Sequence, residues 1–306
     1  MKYIDLHTHT RFSDAEVTLE HSLSAVDELE LSLFSVTDHN TVAAYSHLPE
    51  CRQLFKGKIL PGVELSTIFH GEVIEILGYG IDTAIMGELI SQNYPTFYDK
   101  QMREAGMDVR ALLKAGVILD DEFVKAMTEN PQSIFDPSRD TNRPYLLREI
   151  KRHPENVRFF ASKEEFRLIG EGKFTRNYLF NAKSKLYSDQ SSLCPDISKV
   201  IDMIKMSGGL TFLAHPFVYS KNIIGALDEI AEYGLDGMEC FYGTFTPEQK
   251  CFMIDYCDKH HLFKSGGSDY HGRVMRPNNI LGHSAGEKIT FDLIEQWFDK
   301  IEKSLI

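Results

Sequence analysis

Histidine and carboxylate recur along this chain at spacings that suit metal chemistry. Asp5-Leu6-His7-Thr8-His9 sets two histidines at i and i+2, which on an extended backbone point the same way. Asp14 follows in Phe12-Ser13-Asp14. Further on come Thr37-Asp38-His39, Val63-Glu64, Glu75 between Ile74 and Ile76, Ala214-His215-Pro216 and Ser268-Asp269-Tyr270-His271. A lone histidine at a strand end is usually a hydrogen-bonded surface or core residue, and a lone strand Glu usually faces solvent. Gathered in one place, so many ionisable groups would be costly to bury without a cation. Imidazole and carboxylate without thiolate suit zinc, iron(II) or manganese(II), so a multinuclear metal site is expected. The five cysteines lack CxxC spacing and do not join this set. His260 and His261 close a helix, and His21, His47, His70 and His283 are isolated, so all are left out.

Short β-branched or apolar runs at 3–6, 33–37, 59–63, 73–79, 210–214, 237–241 and 263–266 must position these groups. Amphipathic stretches of helical length lie between most of them, at 18–31, 197–206, 223–233, 247–260 and 291–301. Such alternation predicts an α/β protein with a parallel sheet or barrel. The link between residues 63 and 73 is too short for a helix, so that pair departs from strict alternation. Six of the seven runs deliver His, Asp or Glu at or near their C-terminal ends. In a parallel barrel those ends share one mouth. Glu75 sits inside a run with apolar neighbours on both faces, where an ionised carboxylate needs a strong partner. It is therefore expected to bind a metal, against the plainer reading of a loop cap or a pair with an arginine.

Residues 84–188 hold seventeen basic and fifteen acidic residues and one of the twelve histidines, in a chain of net charge −12. This stretch reads as a mainly helical insertion, with helices at 97–115, 121–127, 145–152 and 162–169. The expected organisation is a metal-binding body of 1–83 and 189–306 with an inserted cap at 84–188. No apolar run is long enough to span a bilayer, and the N-terminal residues lack the apolar core of a signal peptide. An odd cysteine count without a metal or disulfide pattern points to a reducing, cytoplasmic setting. The acidic balance argues against bulk binding of nucleic acid. The oligomeric state is not legible.

These motifs, DLHTHT, the Ser13-Asp14 pair, VTDHNT, PGVELS, EILGYG, FLAHP and GGSDYHG, stand in one order that resembles the polymerase and histidinol phosphatase (PHP) superfamily of metal-dependent phosphoesterases. The resemblance covers about residues 1–82 and 190–285. It implies a distorted (β/α)7 barrel with the insertion after the fourth strand. It also implies three metal positions. His7, His9, Glu64 and Asp269 would hold the first ion. Glu64 would bridge to a second, completed by Glu75 and His215. Asp14, His39 and His271 would hold the third. Relatives with an insertion here commonly have His in place of Glu75. They also often read Thr-Arg-x-His or Arg-Pro-His where this chain has Thr141-Asn142-Arg143-Pro144-Tyr145, so Arg143 is kept and Tyr145 replaces the histidine.

Clustered dications acidify water and offset charge on phosphoryl oxygens, which suits hydrolysis of a small phosphorylated substrate. Nucleotide-like mono-, bis- or cyclic phosphates lead. Histidinol-phosphatase-like and short-RNA 5′ exonuclease activities are the alternatives. Arg143 is expected to clamp phosphate through its guanidinium fork, with a helix-start surface role as the plain alternative. Asp38, beside His39, is expected to orient a ligand or water. For the leaving-group acid, His215 and water both stay open. An amidohydrolase would usually need a carboxylated lysine on a strand, and no mid-strand Lys lies in the cluster. A non-catalytic metal-stabilised scaffold is the remaining class.

Overall fold

The computed structural model describes residues 2–306. The chain forms two compact units. One comprises the chain through Thr67 with Ile74–Gln92 and Asp196–Ile306; the other comprises Ile68–Val73 and Asn93–Pro195.

Strands β1 (Tyr3–Asp5), β2 (Leu31–Phe34) and β3 (Lys58–Ile59) form a parallel sheet in that order. A second sheet runs β4 (Gly62–Phe69), β5 (Glu72–Tyr79), β6 (Leu210–Leu213), β7 (Gly237–Tyr242) and β8 (Phe263–Gly267). It is mixed: β5 and β6 are antiparallel, whereas β6, β7 and β8 are parallel. A two-residue hairpin, β9 (His283–Ser284) and β10 (Glu287–Lys288), turns through Ala285 and Gly286 at φ 50° and 80°. Backbone bonds continue past the strand ends. Asp269 N–H donates to His7 O at 2.7 Å and His9 N–H to Tyr270 O at 3.0 Å, while Asn40 N–H donates to Glu64 O at 2.8 Å.

Two strand expectations change. The run 59–63 is two strands, because Pro61 has no N–H to give a ladder and pairing passes there from β2 to the second sheet. Glu64 is therefore the third residue of β4 and does not follow a strand end. The sheet is also not uniformly parallel, and this reversal is what makes Glu75 useful. Ala214 N–H donates to Glu75 O at 3.0 Å, so the early part of β5 lies beside the end of β6.

Helix α1 (Leu19–Glu28) buries Leu19, Leu23 and Val26, and the Thr18 hydroxyl caps it by accepting from His21 N–H. Helices α2 (Ala43–Cys51) and α3 (Thr83–Asn93) occupy stretches not read as helical. The stretch 223–233 divides into Lys221–Gly225 and Leu227–Glu232. The last helix begins as a 3-10 turn and is α-helical over Glu295–Ile301. Its Trp297 packs on Tyr79 and Phe212 with ring centroids 5.8 and 5.0 Å away, and its indole N–H donates to Lys264 O at 2.8 Å. This aromatic layer, with Ile4, Leu6, Leu33 and Leu77, is the apolar floor of the first unit. Among the described residues no helix is long and apolar enough to cross a membrane.

The second unit is largely helical, with α4 (Phe97–Ala115), α5 (Asp121–Glu129) and α6 (Arg143–Arg152) packed through Val109, Leu112, Met127, Leu146 and Ile150. A polar chain lies buried in it. Asn142 Nδ2 donates to Asp108 Oδ2 at 2.8 Å, and Arg143 Nη2 meets both Glu104 oxygens at 2.9 and 3.1 Å. Burial, with Glu104 nearby, pushes the Asp108 carboxyl from 3.8 up to about 6. The folded state then holds this proton more tightly than the unfolded one, so stability falls as pH rises through that window. Asp108→Asn is expected to flatten the fall, measured as urea midpoints from about pH 4 to 7. An unchanged slope would refute the assignment.

Candidate metal centre

All nine residues expected to bind metal come together in the first unit. Beyond β1 the chain stays extended, so His7 and His9 project to one side with their Nε2 atoms 3.2 Å apart. The β4–β5 hairpin contributes two carboxylates. Glu64 Oε2 lies 3.3, 3.2 and 3.1 Å from His7 Nε2, His9 Nε2 and His39 Nδ1, and its Oε1 lies 2.9 Å from His215 Nε2. Glu75 spans His39 Nδ1 at 3.2 Å and His215 Nε2 at 3.4 Å. The segment after β8 brings Asp269 Oδ1 to 3.1 Å from His9 Nε2, and His271 Nε2 to 3.0 Å from Asp14 Oδ1.

The donors fall into overlapping groups: His9, Asp14, His39 and His271; His7, His9 and Asp269; His7, Glu64 and His215; His39, Glu64 and Glu75. Two atoms bound to one ion at about 2.1 Å stand about 3.0–3.4 Å apart, which is the spacing seen here. His9 Nδ1, His39 Nδ1, Glu64 Oε2 and His271 Nε2 are buried without a hydrogen-bond partner, although all four are charged-group or ring atoms facing the cluster. Orphaned buried donors and acceptors are expensive, and divalent ions would satisfy them. The residues fit a divalent metal centre.

Electrostatics point the same way. Burial opposes charge on His7, but Glu64, Glu239 and Asp269 outweigh it and hold the imidazole well above its ordinary pKa. His9 is likewise pushed to about 10, against burial, by Asp269 and Glu64. Glu64, Asp14 and Asp269 lie well below the usual carboxyl range, because neighbouring imidazoles, and Arg276 for Asp269, overcome burial. Burial dominates only at His271, whose pKa is lowered. The cluster calls for positive charge, and among the described residues Arg276 is the one Arg or Lys paired with it.

Residues outside the expected set hold these ligands in place. Glu239, on β7, is fully buried, with Oε1 3.0 Å from His7 Nδ1, and its Oε2 accepts from His215 N–H at 2.7 Å. A carboxylate on Nδ1 leaves His7 Nε2 as the atom that faces the cluster. Tyr242 donates to Asp269 Oδ2 at 2.7 Å and Arg276 pairs with the same oxygen, so Oδ1 is left for the cluster. Tyr219 Oη accepts from Glu75 N–H at 2.9 Å. Glu239→Gln is expected to weaken manganese binding about 10–100-fold, measured by titration of metal-depleted protein. Unaltered affinity would remove Glu239 from this role.

Two further residues stand elsewhere. Asp38 accepts from Thr10 N–H, Thr10 Oγ1 and Ser13 Oγ at 2.7, 2.6 and 2.6 Å. It thus fixes the segment leading to Asp14, and among the described residues it pairs with no side chain of the expected ligand set. Arg143 belongs to the second unit, where its guanidinium pairs with Glu104 and lies 4.9 Å from the Phe180 ring centroid. That unit also groups Asp120, Glu149 and His153. Arg152 Nη1, at 3.1 and 3.0 Å from the two acids, already answers their charge.

No protein-family model matches the chain. It is 27% identical over 274 residues to the 5′-3′ exoribonuclease Rnm of Escherichia coli strain K12, covering 87% of this chain and 84% of that protein. It is 24% identical over 274 residues to a 3′,5′-nucleoside bisphosphate phosphatase of Chromobacterium violaceum, covering 89% and 88%. A solved structure from Chromobacterium violaceum, described as an amidohydrolase with bound sulfate and no metal, superposes with a TM-score of 0.65 at 22% identity, covering 99% of this chain and 97% of that one. That likeness supports a shared α/β fold with mixed sheets.

Proposed function

We propose that the chain is a member of the polymerase and histidinol phosphatase (PHP) superfamily of metal-dependent phosphoesterases and that it hydrolyses a small nucleotide-like phosphate ester. The observation that carries this reading is the convergence of five imidazoles and four carboxylates on one set of unsatisfied, buried donor atoms. We further propose that the two sheets complete a distorted (β/α)7 barrel, supported by the backbone bonds that link β1 to β8 and residues 38–40 to β4.

His7, His9, Glu64 and Asp269 would hold one ion, Glu64, Glu75 and His215 a second, and Asp14, His39 and His271 a third. His39 also lies within reach of Glu64 and Glu75, which ties the second and third sets together. Two or three ions are proposed, with manganese(II) first and iron(II) or zinc as alternatives, because four carboxylates favour a harder cation. Bound divalent ions supply Lewis acidity, acidifying water toward neutral pH and offsetting charge on phosphoryl oxygens. The protein's own part is positional. Glu239 fixes His7, Asp38 fixes the approach to Asp14, and Tyr242 with Arg276 fixes Asp269. His215 would hold the second ion through Nε2, which faces Glu64 and Glu75, so the proton for the leaving group is proposed to come from water. A cytoplasmic location belongs to the same reading, supported by five cysteines that form no disulfide.

A short-RNA 5′ exonuclease is the second reading, favoured by the 27% identity to an exoribonuclease. Manganese-loaded protein should be assayed on nucleoside 3′,5′-bisphosphates, cyclic phosphates, histidinol phosphate and 5′-phosphorylated oligoribonucleotides. Release of phosphate from the small esters supports the first reading. Stepwise mononucleotide release from RNA alone selects the second, and inactivity on all of them refutes both. Arg143 is proposed to bind substrate phosphate. Arg143→Ala would strand the buried Glu104, so Arg143→Lys and the paired Arg143→Ala/Glu104→Gln are the useful variants. Both should raise KM about tenfold or more with metal content constant. An unchanged KM would leave Arg143 as part of the buried network of its own unit.

A further inference from the structure

The loop 272–280, which follows His271 directly, is unusual for how it is built. Its base is pinned. Val274 N–H donates to Glu16 Oε1 at 2.8 Å, and Arg276 N–H to Gly272 O at 3.1 Å. Buried Asn279 donates from Nδ2 to Ser268 O and Asp269 O at 2.8 and 3.1 Å. Gly272 has φ +103°, a conformation that favours glycine, and a Cβ there would overlap the Glu16 side chain that anchors the loop. Yet the pinned loop turns apolar side chains outward. Val274 is 84% exposed, Met275 53% and Ile280 55%. Single exposed apolar residues are ordinary, but three within seven positions beside a charged mouth mark a contact surface.

Arg276 connects that surface to the centre. One guanidinium nitrogen, Nη1, pairs with Asp269 Oδ2, whose other oxygen faces His9. The side chain is 30% exposed, and among the described residues Nε and Nη2 have no hydrogen-bond partner. A guanidinium fixed at one corner, with its remaining N–H groups open at a metal-ligand carboxylate, is arranged to receive an anionic oxygen. Met275 and Val274 precede it by one and two residues, about 4–8 Å of chain, a span comparable with one nucleotide. Methionine sulfur makes favourable contacts with aromatic rings, which suits a flat base better than a branched aliphatic group.

We propose that this loop is the nucleoside-binding lip of the enzyme. Arg276 takes an oxygen of the substrate phosphate, and Val274 with Met275 cover one face of the base. The inference rests on the phosphoesterase reading and names its substrate class as base-bearing phosphates.

The test compares a nucleoside 3′,5′-bisphosphate with base-free ribose 5-phosphate. In Val274→Ser/Met275→Ser, KM for the nucleotide should rise about tenfold while that for ribose 5-phosphate stays within about twofold, with kcat unchanged for both. Arg276→Gln should raise KM for both substrates alike. Equilibrium dialysis of a non-hydrolysable nucleoside bisphosphonate gives a second readout that needs no turnover. If the wild type cleaves both esters and the double variant leaves their KM ratio unmoved, the lip is refuted and the phosphoesterase reading stands. If nothing is cleaved but the bisphosphonate binds and the double variant loses it, the reading falls and the lip stands. A concentration-dependent dimer abolished by the double variant, with the KM ratio unchanged, would show that the apolar tip serves self-association and would overturn the proposal.

Discussion

Glu64→Gln is expected to remove at least one equivalent of bound metal and to lower turnover about a thousandfold or more, with the fold intact. Glu64 touches four imidazoles, three through Oε2 and His215 through Oε1. It belongs to two of the donor groups, as do His7, His9 and His39, and of these four it alone offers two carboxylate oxygens. The amide keeps the shape of the carboxylate but replaces one acceptor by a donor and removes the charge. Elemental analysis after manganese loading gives the stoichiometry, and thermal unfolding checks the fold. Full metal content with turnover within about tenfold of wild type would deny Glu64 its bridging role.

Glu75→Gln is expected to lower metal content by up to one equivalent and turnover about a hundredfold. Glu75 reaches His39 and His215 at once, and Tyr219 holds its backbone N–H, so its position is set by the fold and not by a flexible loop. Glu75→His should restore the missing equivalent and shift preference toward zinc, since imidazole is the softer donor. Near-normal turnover and full metal content in Glu75→Ala would mean that the centre is completed by another group.

The candidate cluster was largely legible because most of its residues stand in a short polar break at or near the end of an apolar run, and Glu75 is an acid inside one, both local signals. His7 and His9 needed only the two-residue repeat of an extended chain. What escaped was set by neighbours distant in sequence. Pro61 divides one apolar run between two sheets, and run composition alone does not reveal a change of partner. The reversal of β5 was hinted at by the short link after residue 63, but its direction relative to β6 depends on the whole insertion between them. Glu239 carried a readable signal, an acid between Met238 and Cys240 in an apolar strand, the same kind that singled out Glu75. Tyr219, Tyr242 and Arg276 carried none, since their importance lies in which oxygen or N–H they meet. The role expected for Asp38 followed from adjacency to His39, whereas alternation along the extended chain turns it toward Thr10 and Ser13.

The bonds that join the start of the chain to the segment after β8 have a consequence for synthesis. Asp5 accepts from Ser268 across 263 residues of sequence, and His7 O accepts from Asp269 beside it. At roughly 5–20 residues per second, the first-made ligands wait some tens of seconds on the ribosome before their partners exist. During that interval His7 and His9 have neither Asp269 nor His271, and β1 lacks a neighbour on one side. The full set of candidate ligands is therefore complete only once Asp269 and His271 have been made, so a centre that needs all nine would form late in folding.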